Sequence, residues 1–198
     1  MKLSGSNIIL AKRGLVWEAL NDPDVLKETI PGAQSVMQTN KDEFEAVVEA
    51  KVGPVKAKFT GKIKLTDIDP PNGYKISGQG QGGAAGFAKG SAEVNLIDNG
   101  DKTTTLNYTV DAQIGGKLAQ IGQRLVQSTA ISLSEKFFNN LSNRFVEETV
   151  SEVDGDSKVA LKDKKYILKL FNSSGIRVKF VLGILLLSLA MSIFIYVR

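Results

Sequence analysis

The side chains able to do chemistry in this sequence are tyrosines, carboxylates and lysines, because its 198 residues include neither histidine nor cysteine. The chain therefore lacks the commonest proton-transfer group, the thiolate nucleophile and the commonest zinc ligands. Glu93 and Asp111 are predicted on the wet faces of strands, and no pair of carboxylates has a spacing that acid–base catalysis requires. We expect a protein that is not an enzyme and that holds no metal.

A run of glycines between Gly78 and Gly90 is the next candidate site. A phosphate-binding loop would need a following Lys-Ser/Thr pair and a helix that opens from it, and the sequence has neither. Two interpretations stay open: a strand edge where backbone and ligand approach closely, or structural bends alone. Phe87 lies within this run and is a candidate gate.

Alternation of apolar and polar residues predicts the sheet that would position these residues. The predicted strands are 2–10, 44–52, 55–65, 74–81, 88–97 and 104–114. Two short helices, 15–20 and 23–29, follow the first strand, the second capped by Asn21 or Asp22. From Leu118 to Phe145 the apolar period becomes three or four, which predicts one helix of about 30 residues. The fold class is therefore α+β, an antiparallel sheet wrapped around a long C-terminal helix.

Small residues are frequent among those predicted to face inward, between the sheet and that helix, and two interpretations of them stay open. They leave room for a ligand cavity, or they allow close backbone packing. These small residues are Ala46, Ala50, Ala57, Gly61, Ala92, Ala112, Gly122 and Ala130. The candidate cavity residues are Trp17, Leu26, Phe44, Phe59, Ile63, Phe87, Val94, Tyr108, Leu118, Gly122 and Leu125. Trp17 could instead pin its short helix to the sheet.

The C-terminal stretch 180–197 has 18 residues without a charge. At 1.5 Å per residue it spans roughly 27 Å as a helix, close to the hydrocarbon thickness of a bilayer. A buried helix of a soluble core is the alternative. We predict a single-pass membrane anchor that includes Phe180, Leu186, Phe194 and Tyr196. Lysines precede the span, which predicts a cytoplasmic N-terminal domain at the cytoplasmic membrane.

The predicted division is a folded domain over 1–148, a basic linker over 149–176 and a transmembrane helix over 177–198. The net charge of +4 lies entirely after residue 150, since residues 1–150 carry equal numbers of basic and acidic side chains. This distribution favours an anionic membrane surface as partner over nucleic acid. A row of lysines, Lys56, Lys58, Lys62 and Lys64, is either a solvated strand face or a docking face for an acidic partner.

Several short motifs, in one order and at one spacing, indicate a family resemblance. They are VWEALNDP at 16–23, IPGA at 30–33, VGPV at 52–55 and GQGQG at 78–82, followed by the long helix. With these motifs, residues 2–145 resemble the carbon monoxide dehydrogenase CoxG family of the START-like, or helix-grip, superfamily (SRPBCC). The linker after residue 146 resembles nothing comparable.

The resemblance implies an accessory protein with a hydrophobic cavity under the long helix. Its expected role is to bind a membrane quinone and to recruit a carbon monoxide dehydrogenase-type molybdenum hydroxylase to the membrane. Tyr108 could then hydrogen-bond a quinone carbonyl. A START-like lipid-binding or adaptor protein, not tied to that enzyme, is the alternative. A cyclase-like or hydrolase-like enzyme on the same fold is a third possibility.

Overall fold

The computed structural model describes the backbone of residues 1–151 and the side chains of residues 1–146. Its main element is a seven-stranded antiparallel sheet with the strand order β1-β7-β6-β5-β4-β3-β2. The strands are β1 Lys2–Ile9, β2 Ala33–Asn40, β3 Glu43–Val52, β4 Val55–Asp69, β5 Gly73–Gln81, β6 Phe87–Asp98 and β7 Thr104–Gly115. The α+β architecture predicted from the sequence, an antiparallel sheet with a long C-terminal helix, is confirmed.

Two short helices, α1 Arg13–Asn21 and α2 Pro23–Thr29, connect β1 to β2. The Asp22 carboxylate caps α2 by accepting hydrogen bonds from the backbone N–H groups of Asp24 and Val25, at 2.8 and 3.2 Å. The capping prediction for this helix is therefore confirmed, with Asp22 rather than Asn21 as the cap. A 3₁₀ turn, Gly83–Ala85, joins β5 to β6, and α3 Lys117–Gln120 and α4 Gln123–Ser151 follow β7.

Strand β2 has no counterpart among the predicted strands. Only Val36 of its eight residues is buried, so it shows no alternation of apolar and polar side chains. It forms an edge of the sheet and pairs with β3 alone. This segment is a strand because its backbone pairs with β3, and such pairing cannot be predicted from the order of apolar and polar residues.

The long helix predicted from Leu118 is interrupted at Gly122, where φ is +91°. The interruption shifts the helical phase, so the buried stripe differs from the predicted one in the first half of α4, whereas Phe137, Leu141 and Phe145 are buried as their spacing predicts. Val126 is buried, whereas Leu125, a predicted cavity residue, is 39% exposed. Ser134 is buried as well, although its side chain is polar, with 1% exposure.

Helix α4 covers the inner face of the sheet and is held there by aromatic packing and by contacts with α2. The ring of Tyr108 on β7 stacks on Phe138 at 6.3 Å, and Phe138 meets Phe137 edge-on at 5.0 Å. The Asn140 side chain donates to the carbonyl of Thr29 at 3.0 Å. These contacts fix the C-terminal half of α4 against the sheet.

The outer face of the β3–β4 hairpin carries an ion-pair ladder. The register places Glu43 opposite Lys64 and Glu45 opposite Lys62, with N–O distances of 3.3 and 2.8 Å. Lys56 pairs with Glu49 at 2.8 Å. The predicted lysine row is thus largely neutralised by β3 glutamates, which favours its interpretation as a solvated strand face.

The predicted linker after residue 151 and the predicted membrane anchor, with Phe180, Leu186, Phe194 and Tyr196, lie outside the described residues. Among the residues that the structure describes, no helix has the length and apolarity needed to cross a bilayer.

Candidate functional site

A small cavity of about 10 Å³ lies between the sheet and the helices. Its walls come from the ends of β3, β6 and β7, from α3 and from the first half of α4. The lining residues are Val52, Ala88, Ile114, Leu118, Val126, Thr129, Ala130 and Leu133. About 10–15 Å³ is the least that holds one water, and ligand pockets are usually several hundred Å³. In this structure the small residues therefore serve close packing, and a ligand could enter only if the walls move apart.

The predicted cavity residues divide between two core clusters. Phe44, Val94 and Tyr108 are buried in the larger cluster, with Trp17, Leu26 and Ile63 partly buried against it. Phe59 and Leu118 belong to the smaller cluster. Leu118 alone among the predicted residues lines the cavity, while Gly122 and Leu125 are exposed on its outside.

Trp17 packs edge-on against Tyr74 with ring centroids 5.4 Å apart, and thereby pins α1 to β5. In the structure Trp17 thus packs against the sheet, which is one of the two roles that the sequence left open. Burial raises the pKa of the Tyr74 hydroxyl above its ordinary value, since the charged phenolate would lose its hydration there. Tyr108 is 5% exposed and lies under Phe138 in the larger cluster, outside the lining of the small cavity.

The smaller cluster is closed by the loop between β5 and β6. The ring of Phe59, fully buried, fills the place that a side chain on Gly82 would need. Gly86, with φ +107°, lies against the backbone of Gly115, so that no side chain fits between them. At these two positions the glycines therefore allow close packing within the protein, which is the structural interpretation of the glycine run, and the approach of a ligand stays a prediction.

Phe87 lies at the start of β6, where it pairs with Gly115 across the sheet. Its ring occupies the space that a side chain on Gly115 would need. This partly buried phenylalanine is therefore packed on β7 in the structure, rather than carried on a loop as the gate hypothesis supposed.

Most residues that line the cavity are not among the predicted cavity residues, although the sequence pattern indicates that some of them face inward. Val52 and Ile114 belong to the apolar faces of strands that the alternation predicts correctly. Val126 was not predicted because the expected helical phase ran through the interruption at Gly122, whereas Ala130 is one of the small residues predicted to face inward. Only the sheet register shows that β3, β6 and β7 end side by side at this cavity.

The chemistry of the cavity wall is apolar. Its one polar side chain, Thr129, donates its hydroxyl to the carbonyl of Leu125 at 2.9 Å. Among the described residues, no group of three His, Cys, Asp or Glu side chains could hold a metal ion. Such a wall would select a ligand by apolar surface and shape.

A larger concavity of about 830 Å³ lies on the outer face of the sheet. Its rim includes the paired charges of Glu45 with Lys62 and of Glu43 with Lys64. These pairs neutralise each other and face solvent, so this surface offers no apolar enclosure for a ligand.

The sequence matches the model of one protein family over residues 5–146, and that family is described as the CoxG subunit of carbon monoxide dehydrogenase. The chain belongs to this family. The predicted family resemblance is therefore confirmed, and with it the START-like fold. None of the curated proteins matches the sequence.

Solved structures agree with the family assignment. A conserved protein from Geobacillus kaustophilus is 33% identical with a TM-score of 0.70, and the match covers 74% of this chain and 96% of that one. The ZhuI aromatase/cyclase from Streptomyces sp. R1128 is 15% identical with a TM-score of 0.58, covering 79% and 99%. A START superfamily protein from Mycobacterium smegmatis is 14% identical with a TM-score of 0.53, covering 72% and 95%. The last two similarities concern the fold alone.

Proposed function

We propose that this CoxG family member is a non-enzymatic, membrane-anchored accessory protein of a carbon monoxide dehydrogenase-type molybdenum hydroxylase. In this proposal it binds a hydrophobic ligand, a membrane quinone, between sheet and helix, and it recruits the enzyme to the cytoplasmic membrane. The family assignment and the START-like fold support a ligand-binding accessory protein. The absence of histidine and cysteine from the sequence argues against an enzyme.

The observation that carries this proposal is the family match over residues 5–146, and the small apolar cavity at the junction of α3, α4 and the ends of three strands marks the place where a ligand would enter. Its walls can separate at two places. The glycine loop, residues 82–86 between β5 and β6, closes the adjoining smaller cluster with Ala85 as its one buried side chain, and α3 is joined to α4 through Gly122, whose φ of +91° favours glycine. Displacing α3 and this loop would extend the cavity into the smaller core cluster.

Ligand binding is tested by purifying the full chain from membranes in a mild detergent and identifying co-purified isoprenoids or lipids by native mass spectrometry. We expect one quinone-type ligand per chain. A protein that carries no isoprenoid and binds no added quinone would contradict the ligand proposal.

A pair of matched variants locates the ligand. Ala130 lines the cavity and is 3% exposed, whereas Ala92 is 4% exposed in the larger cluster and does not line it. Ala130→Leu and Ala92→Leu overpack the core to a similar degree, by about 1–3 kcal/mol. We expect loss of the ligand in Ala130→Leu and its retention in Ala92→Leu. Equal retention in both would place the ligand elsewhere.

The small volume of the cavity favours a second candidate function, that of an adaptor which holds the enzyme at the membrane without a ligand. Deleting residues 176–198 tests recruitment of the enzyme separately from ligand binding. Under either candidate, the deletion should move the partner enzyme from the membrane fraction to the cytosol. An unchanged distribution of the enzyme would contradict recruitment, whether or not a quinone co-purifies.

A further inference from the structure

Three segments meet at the end of the sheet where the cavity closes: residues 49–58, residues 81–87 and residues 115–125, together called the closing rim. A side chain on Gly53 would lie 2.5 Å from Cδ2 of Leu125, so the tip of the β3–β4 hairpin touches the start of α4. A side chain on Gly116 would lie 2.5 Å from Cα of Gly86, so the glycine loop touches the start of α3. The rim is therefore one continuous surface.

The closing rim is strongly basic although the domain as a whole is not. It contains Lys51, Lys56, Lys58, Lys117 and Arg124. Glu49 is its one carboxylate, paired with Lys56 at 2.8 Å and facing Lys58 across the hairpin. The side chains of Lys51, Lys117 and Arg124 are exposed, and the described part of the chain gives them no carboxylate partner. Sheet register thus collects cations at one end and leaves most of the acidic residues on the rest of the domain.

Apolar groups lie exposed between these cations. Leu125 is 39% exposed, and Pro54 at the hairpin tip and Ala84 in the 3₁₀ turn are exposed as well. Directly behind them is the smaller apolar cluster around Phe59. Cations that surround exposed apolar tips are typical of surfaces that rest in the headgroup region of an anionic bilayer.

We propose that the closing rim docks on the anionic surface of a lipid bilayer, with the tips at Pro54, Ala84 and Leu125 in the headgroup region. This inference rests on the proposed function. Docking would bring the smaller apolar cluster next to the bilayer, from which the proposed ligand would enter. An acidic protein surface would pair with the cations equally well. It would not explain the apolar tips, whose exposure to lipid lowers their free energy.

The test uses the full chain reconstituted into vesicles, so that any tail anchor is present in every sample. The sequence has no cysteine, so Ala84→Cys provides a unique site for a fluorophore on the rim. Lys12→Cys provides a matched exposed site beyond Ile9, at the opposite end of β1 and β7. Quenching of each fluorophore by doxyl-labelled lipid is measured in phosphatidylcholine vesicles and in vesicles with one-third phosphatidylglycerol.

We expect quenching at position 84 in the anionic vesicles only, its loss at high salt, and no quenching at position 12. In the Ala84→Cys background, the triple variant Lys51→Gln, Lys117→Gln, Arg124→Gln should lower the docked-to-free ratio about a hundredfold, at about fivefold for each cation. The control triple Lys27→Gln, Lys41→Gln, Lys136→Gln removes three exposed lysines elsewhere and should leave quenching unchanged. Equal quenching in neutral and anionic vesicles, none in either, or equal effects of the two triples would overturn the proposal.

Failure of this inference and failure of the proposed function are distinguishable. Quinone binding by the same variants is measured in detergent, where no bilayer is present. Retained quinone binding without docking would overturn the rim proposal alone, whereas docking without quinone binding would overturn the ligand proposal alone.

Discussion

Gly86 illustrates how a single glycine determines the packing of the closing rim. Its φ is +107°, and its Cα faces the backbone of Gly115 and Gly116 with no room for a methyl group. Gly14 in α1 is the opposite case, since a side chain there would meet no atom within 4 Å. The same residue type is thus required at one position and replaceable at another.

We expect Gly86→Ala to destabilise the domain by at least about 2 kcal/mol, because it adds both backbone strain and a steric clash. Gly14→Ala should instead stabilise it by about 0.5–1 kcal/mol, since alanine is the better helix former. Urea denaturation of both variants measures the difference. Wild-type stability in Gly86→Ala would show that the loop does not pack on β7 as described.

Tyr74 makes the stability of the domain sensitive to alkaline pH. Burial raises the pKa of its hydroxyl in the folded state, while in the unfolded chain it ionises near its ordinary value of about 10. The unfolded state therefore releases the proton first. The contribution of Tyr74 is fully present below about pH 10 and falls by about 1.4 kcal/mol for each pH unit above it.

Tyr74→Phe keeps the ring that packs on Trp17 and removes the ionisable group. We expect the variant to lose less stability than the wild type between about pH 10 and about pH 11.5, measured by urea denaturation at each pH. All other ionisable groups are the same in the two proteins, so their contributions to the pH dependence cancel in the comparison. Parallel curves for the two proteins would contradict the role of Tyr74 burial.

At the scale of elements, the β3–β4 hairpin shows how a short turn sets a long register. Val52 pairs with Val55 across Gly53-Pro54, and from there each outward glutamate of β3 meets a lysine of β4. Hydrogen bonding and attraction to Lys56 lower the pKa of Glu49, and the bond to Glu49 raises the pKa of Lys56. The turn residues and the charge order alone are sufficient to predict this ladder, since they place each lysine of β4 beside a glutamate of β3.

A charge exchange tests the ladder. Glu45→Lys places two lysines opposite each other and should cost about 0.5–1 kcal/mol, while adding Lys62→Glu should restore most of that loss. The pair is solvent-exposed, so the effects should shrink in about 1 M salt. Urea denaturation of the two single variants and the double variant gives the coupling energy, and a coupling energy of zero would contradict the ladder.

At the scale of the whole molecule, the net charge of +4 conceals two uneven distributions of charge. The sequence places the net excess after residue 150, beside the uncharged stretch 180–197. The fold separates the balanced charges of the domain into a basic closing rim and a remainder that holds most of the carboxylates. Both features favour an anionic bilayer as the surface that this protein meets.

The predicted anchor is tested by extraction of membranes with alkaline carbonate. We expect the full chain to stay in the membrane pellet and a chain without residues 177–198 to be released. Leu186→Arg, at the middle of the uncharged stretch, should weaken insertion by about 3 kcal/mol, whereas Leu186→Phe should not. Release of the unaltered full chain by the wash would contradict a transmembrane anchor.

The sequence by itself determined the features that neighbouring residues specify. Alternation predicted β3 and β4, Asp22 and Pro23 predicted the start of α2, and ordered motifs indicated the family. These features are readable because a strand face, a helix cap and a turn each depend on residues a few positions apart.

Only the tertiary structure decided which of those features meet. One glycine, Gly122, shifted the buried stripe in the first half of α4, and backbone pairing made a strand of the polar segment 33–40. The predicted cavity residues fell into two clusters, since their proximity depends on strand order and on the helix phase together. The basic closing rim could not be predicted for the same reason. The register of the sheet brings three segments that are distant in sequence to one end, and residue composition carries no information on that register.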